Sequence, residues 1–171
     1  IDGKGGTDTV DYSAERGTFA VFADLSRVGA LNDPNAQDSF GDGDALIDIE
    51  NLIGTGFGDR FLGGAGANDL QGRDGDDSLT GGAGNDTLDG GNGMDTADYG
   101  SETGGLGILA DLRDAAGVVL DSFGQRDLLM SIEGLIGSGF ADQIVGGTGA
   151  NRLDGGDGDD TIDGWSGDDT I

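Results

Sequence analysis

An apolar residue recurs along this chain two places after an aspartate or asparagine, most often at a spacing of nine. Val10, Phe61, Leu70, Leu79, Leu88, Ala97, Ile144, Leu153, Ile162 and Ile171 all stand there, most with polar neighbours on both sides. Polar, apolar, polar is the period of a short strand with one buried face. Six turn-forming residues precede each triplet. From Gly54 the pieces read GTGFGDRFL, GGAGANDLQ, GRDGDDSLT, GGAGNDTLD and GGNGMDTAD. From Gly137 they read GSGFADQIV, GGTGANRLD, GGDGDDTID and GWSGDDTI, and GKGGTDTVD stands alone at residues 3–11. Two nonapeptides make one 18-residue coil of strand, turn, strand, turn. Stacked coils predict an all-β parallel solenoid, two parallel sheets enclosing the position-eight side chains. No helix of useful length is predicted.

A longer repeat overlies the short one. GTDTVDY at 6–12 matches GMDTADY at 93–99, and Ile49–Asp59 matches Ile132–Asp142. The offset changes from 87 to 83 residues across the insert of the first unit, in the stretch holding Pro34. The chain divides into units 1–89 and 90–171, read as one continuous solenoid. The first unit holds repeat 3–11, insert 12–53 and repeats 54–89. The second holds repeat 90–98, insert 99–136 and repeats 137–171. Within the inserts, residues 18–25, 107–112, 45–49 and 127–132 read as strand, and the region around Asn32, Asp33, Pro34 and Asn35 reads as loop. The inserts either continue the solenoid as irregular coils or bulge out as a small β lobe. Ile1-Asp2 resembles positions eight and nine of a further repeat, and the chain stops at position eight, as expected of a piece of a longer array.

Composition turns this pattern into a problem of charge. Among 171 residues there are 38 glycines, 34 acids, 8 bases, and no cysteine or histidine. The net charge of −26 disfavours nucleic acid as a partner. The missing residue types exclude disulfides, thiolate metal sites and imidazole catalysis. No apolar run is long enough for a transmembrane segment. A chain so acidic and only 35% hydrophobic stays open in water unless something neutralises its carboxylates.

The acids are placed rather than scattered. Position six holds Asp8, Asp59, Asn68, Asp77, Asp86, Asp95, Asp142, Asn151, Asp160 and Asp169. In a solenoid each faces its counterpart 18 residues on: Asp59 with Asp77, Asn68 with Asp86, Asp77 with Asp95, Asp142 with Asp160, Asn151 with Asp169. Facing carboxylates and turn carbonyls make all-oxygen sites, which suit Ca²⁺ over transition metals. The turn carbonyls are drawn from the glycines, namely Gly63, Gly64, Gly66, Gly72, Gly75, Gly81, Gly82, Gly84, Gly90, Gly91 and Gly93 in the first run. In the second they are Gly146, Gly147, Gly149, Gly155, Gly156, Gly158, Gly164 and Gly167. At least about five ions are expected. No catalytic or organic-cofactor residues are predicted. The glycine-rich stretches lack a Walker lysine, the segment from Asp42 fails the EF-hand pattern at Leu46 and Ile47, and the paired acids follow the repeat.

GGAGNDTLD and its neighbours resemble the GGxGxDxUx nonapeptide of RTX (repeats-in-toxin) proteins, and DTVDYSAE followed by DIENLIGTGFGDRFLGGAGAN resembles long secreted bacterial members. The resemblance implies a calcium-bound parallel β-roll, export by type I secretion machinery, folding on extracellular calcium, and an extracellular or cell-surface location. It leaves two hosts open: an adhesin, S-layer or extracellular fibre, with copies of itself as partners, or the carboxy-terminal calcium module of a secreted protease, lipase, mannuronan epimerase or cytolysin. Four departures carry expectations. Asn68 and Asn151 should bind more weakly. Arg73 and Trp165 replace the second glycine and should alter their turns. Phe57 and Phe140 stand in place of a turn glycine and should leave the first turn of each run incompletely ligated. Glu50 and Glu133 either add a carboxylate to those runs or lie in solvent.

Overall fold

Each polar–apolar–polar triplet becomes a strand because its central side chain is the one that can leave water. The computed structural model describes residues 1–27, 34–113 and 116–171; Asn32 and Asp33, read above as loop, lie outside them. In chain order the described strands are β1 (Thr9–Asp11), β2 (Phe22–Asp24), β3 (Ala36–Gln37), β4 (Gly43–Asp44), β5 (Asn51–Ile53), β6 (Arg60–Leu62). There follow β7 (Asp69–Asp74), β8 (Ser78–Thr80), β9 (Thr87–Asn92), β10 (Thr96–Asp98), β11 (Leu109–Asp111), β12 (Ala116–Leu120). The last are β13 (Arg126–Met130), β14 (Gly134–Ile136), β15 (Gln143–Val145), β16 (Arg152–Asp154) and β17 (Thr161–Asp163). No helix occurs among the described residues.

Outside the inserts, successive strands alternate between two sheets. One runs β1-β5-β7-β9-β13-β12-β11-β15-β17, the other β16-β14-β10-β8-β6-β2-β3-β4. Within each run of repeats the pairing is parallel and shifted by 18 residues: Leu70 pairs with Leu88, Phe61 with Leu79, Ile144 with Ile162. The protein is a parallel β-roll, as the period predicts.

The inserts add antiparallel strands to the same sheets. β2, β3 and β4 form a meander on the edge of one sheet. β11, β12 and β13 form the equivalent meander inside the other, between β9 and β15. An odd number of half-coils separates β1 from β10, so equivalent strands of the two units fall in opposite sheets. The two inserts therefore lie on opposite faces of the roll.

Two apolar files meet in the second insert. Val10, Leu52, Leu70, Leu88 and Leu129 follow one another by direct register pairing, as do Val119, Ala110, Ile144 and Ile162, while across the β12–β13 ladder Leu129 stands opposite Gly117 and Val119 opposite Asp127. All but Ile162 are buried, and Ile171, at the end of the stack, is exposed. Each fully buried Leu contributes about 1.5–3 kcal/mol.

The insert strands differ in extent from the sequence reading. The strand expected over 45–49 forms at 43–44, because Asp48 turns the chain with φ 51°. The strand expected over 127–132 starts at Arg126 and stops at Met130, where Ser131 turns it with φ 53°. The strand expected over 18–25 shrinks to 22–24. The amides of Thr18 and Phe19 donate to the Ser39 carbonyl and that of Val21 to Asp59 Oδ1, leaving none for a ladder. Similarly, 107–112 shrinks to 109–111, with the Ile108 amide taken by Asp142 Oδ1. β3 and β12 were not foreseen; β12 ends in the exposed Leu120, so its alternation is blurred. The Asp2 bridge to Ile47 repeats the Asp89 pairing with Met130.

Candidate metal centre

The turns on each edge of the roll stack their position-six side chains 18 residues apart, since that is the coil length. Along one edge the Asp59 amide donates to Asp77 Oδ1 (2.6 Å), Asp77 to Asp95 Oδ1 (2.8 Å), Asp95 to Glu133 Oε2 (3.1 Å), and Asn151 to Asp169 Oδ1 (2.9 Å). Along the other, Asp8 donates to Glu50 Oε2 (2.8 Å), Asn68 to Asp86 Oδ1 (2.8 Å), Asp86 to Asp127 Oδ1 (2.9 Å), and Asp142 to Asp160 Oδ1 (2.9 Å). One carboxylate oxygen per turn thus caps the backbone of the preceding coil. The five facing pairs named from the sequence all meet in this way.

The second oxygen sorts these residues into groups. At Asp8, Asp77, Asp86 and Asp95, Oδ2 is buried and has no hydrogen-bond partner. Asp77, Asp86 and Asp95 are at most 2% exposed. An ionised oxygen in that position costs several kcal/mol unless a cation meets it. At Asp59 and Asp142, the first acids of their runs, both oxygens are used. Asp59 takes the amides of Val21 and Thr55, and Asp142 those of Ile108 and Ser138. At Asn68 and Asn151 the side chain satisfies itself. Oδ1 accepts the Gly64 or Gly147 amide, and Nδ2 donates to the carbonyl of Glu50 (2.6 Å) or Glu133 (3.2 Å). An amide NH₂ stands where the aspartates present an unpaired oxygen. Asp160 and Asp169, near the end of the stack, are half-buried.

Glycine is required where the turn closes on these oxygens. Gly81 has no room for a Cβ, which would meet Asp86 Oδ2 at 2.5 Å. Gly82 adopts φ 85° and backs onto the Gly64 carbonyl. Gly63, Gly72, Gly90, Gly146, Gly155 and Gly164 are equally closed by the turn's own aspartate or asparagine. Gly75, Gly84, Gly91, Gly93, Gly156, Gly158 and Gly167 abut backbone of the preceding coil, while Gly66 and Gly149 face open space and Gly147 meets the Leu112 carbonyl. Arg73 and Trp165 keep the left-handed turn of the glycine they replace, at φ 88° and 65°. Trp165 is exposed and does not cover the core.

Burial raises these carboxyls. Asp77 is pushed up to about 7 by desolvation, with the charges of Asp59, Asp95 and Asp76 adding to it. Desolvation, with a contribution from Asp121, pushes Asp86 up to about 6. Asp59 and Asp95 are raised, chiefly by burial. Among the described residues no three acids crowd into one shell, so an ion here is completed by backbone oxygens. Hard oxygen donors, buried unpaired oxygens and absent nitrogen or sulfur ligands fit Ca²⁺.

Sequence reasoning missed Asp127. It takes the place of a position-six residue on the edge of Asp86, and its Oδ2 accepts the buried Tyr99 hydroxyl at 3.0 Å. Its signal was Asp127-Leu128-Leu129, the acid-x-apolar triplet without the glycines. Glu50 and Glu133 belong to the ladders rather than to solvent. Asp74, Asp76, Asp157, Asp159 and Asp168 are exposed.

The family model for the RTX calcium-binding nonapeptide repeat matches residues 62–97 and 136–171, in four copies. No curated protein matches the chain.

Proposed function

We propose that this chain, whose residues 62–97 and 136–171 match the RTX calcium-binding nonapeptide repeat, is a non-catalytic structural module that folds as it binds extracellular Ca²⁺. The buried, unpaired Oδ2 atoms of Asp77, Asp86 and Asp95 carry this reading. Without a cation the closed turns confine uncompensated charge; with one, the turns close and the apolar files bury. Each site held at a hundred times its Kd contributes about 2.7 kcal/mol to the folded state. At low calcium the −26 chain stays open and threadable, as export by a type I system requires.

The host we favour is an adhesin, S-layer or extracellular fibre at the cell surface. The support is the second-order repeat, whose two units share both sheets and place their inserts on opposite faces. Circular dichroism tests the coupling: excess EGTA at neutral pH removes the β signal and calcium restores it. A signal indifferent to EGTA sinks the mechanism. Sedimentation in calcium at rising concentration tests the fibre; a concentration-independent monomer speaks for a module attached to a secreted enzyme or cytolysin.

A further inference from the structure

Outside the matched repeats, the second insert buries a pair of acids that the turn ladders do not use. Glu102 follows β10, and its Oε2 accepts the Ser122 amide at 3.0 Å. Asp121 closes the β12–β13 turn, and its Oδ1 accepts the amides of Phe123 (3.0 Å) and Gln125 (2.6 Å). Glu102 is 7% exposed and Asp121 1%. Yet Glu102 Oε1 and Asp121 Oδ2 are both buried without a partner. The charges acting on Glu102 are acidic, from Asp121 and Asp86.

The same arrangement recurs in the first insert. Glu15 Oε2 accepts the Ser39 amide at 2.9 Å, and Asp38 Oδ1 accepts those of Phe40 and Asp42, each at 2.9 Å. Glu15 and Glu102 each donate their own amide to the carbonyl of the equivalent tyrosine, Tyr12 or Tyr99. Glu15 and Asp38 are half-buried, so the first copy is the more open. In the second copy a cleft of about 360 Å³ opens beside Glu102, Thr103 and Phe123, an entry path from solvent.

We propose that the second insert carries its own calcium site, held by Glu102 and Asp121. The carboxylates come from two loops that no ladder joins, and an ion between them staples the meander to the roll. The donors are hard oxygens, completed by water and backbone carbonyls, which selects Ca²⁺ over softer metals. Unlike the turn sites, this one does not depend on the glycine pattern. In the second unit the neighbouring Asp86 belongs to a turn, so insert and turn ions share one field.

Equilibrium dialysis at saturating calcium tests this on the whole chain. Glu102→Gln with Asp121→Asn removes one bound ion and leaves the β circular-dichroism signal in place. An unchanged ion count overturns the proposal. Crystals of the unaltered protein soaked in terbium give a reading free of any folding defect. Anomalous density between Glu102 and Asp121 is expected. Peaks at the turns with none here overturn the insert site alone, whereas absence of peaks anywhere overturns the calcium reading as a whole.

Discussion

Asn68 and Asp77 hold the same place in consecutive turns on opposite edges, yet solve different problems. Asn68 brings its own donor for the Glu50 carbonyl, whereas Asp77 leaves Oδ2 for an ion. Asp77→Ala therefore raises the calcium midpoint by at least about tenfold, about 1.4 kcal/mol. Asn68→Ala leaves the midpoint closer to wild type but costs roughly 1–3 kcal/mol of stability, since the Gly64 amide and Glu50 carbonyl lose their partner. Calcium titrations followed by calorimetry separate the two; equal midpoint shifts refute the distinction. Arg73 is a different case, an exposed side chain held at φ 88°. Arg73→Gly relieves that strain and stabilises the calcium-bound protein by about 1 kcal/mol, read as a raised Tm.

Strands of three residues hold together here only because they stack. Leu79 pairs with Phe61 on one side and Ala97 on the other, and all three are fully buried. Leu79→Ala opens a cavity in the matching apolar row of the eight-stranded sheet and costs about 2–5 kcal/mol in chemical denaturation. The repeat strands were legible in the sequence because one side chain in three must be apolar. The insert strands were less so: their ends are decided by Asp48 and Ser131 at positive φ, and by amides taken up by Asp59 and Asp142. Neither leaves a hydrophobic period. Asp127 was hidden for a related reason, since its turn lacks the glycines that mark the others. Asp127→Ala strips partners from the Asp86 amide and the Tyr99 hydroxyl, and unfolds the second insert before the repeats in hydrogen exchange.

At the scale of the molecule, charge and folding are one equilibrium. Asp77 and Glu102 are raised to about 7, Asp127 to about 7 and Asp86 to about 6, in each case chiefly by burial. In the unfolded chain these carboxyls titrate near 4. The metal-free fold therefore binds more protons than the unfolded chain. Its stability from these groups is fully present below about 4 and is lost as the pH rises through 6 to 7. In EGTA, acidification from pH 7.5 to 4.5 should restore part of the β signal. At a fixed calcium concentration, apparent affinity should fall over the same interval as protons compete for the oxygens. A calcium midpoint flat with pH contradicts this.

The nine-residue period, the apolar files and the placement of the aspartates were determined by sequence alone, because a period of two within a period of nine admits few other folds. Local chemistry sufficed for that: an acid, a glycine and an apolar residue at set spacing. Tertiary structure decided which oxygens are left unpaired. Asp59, Asn68 and Asp77 look alike in the repeat, and only the coil packed above and the insert packed beside them supply or withhold the hydrogen-bond donor. The same packing brought Glu102 to Asp121 and set the two inserts on opposite faces, outcomes that depend on the number of half-coils between them.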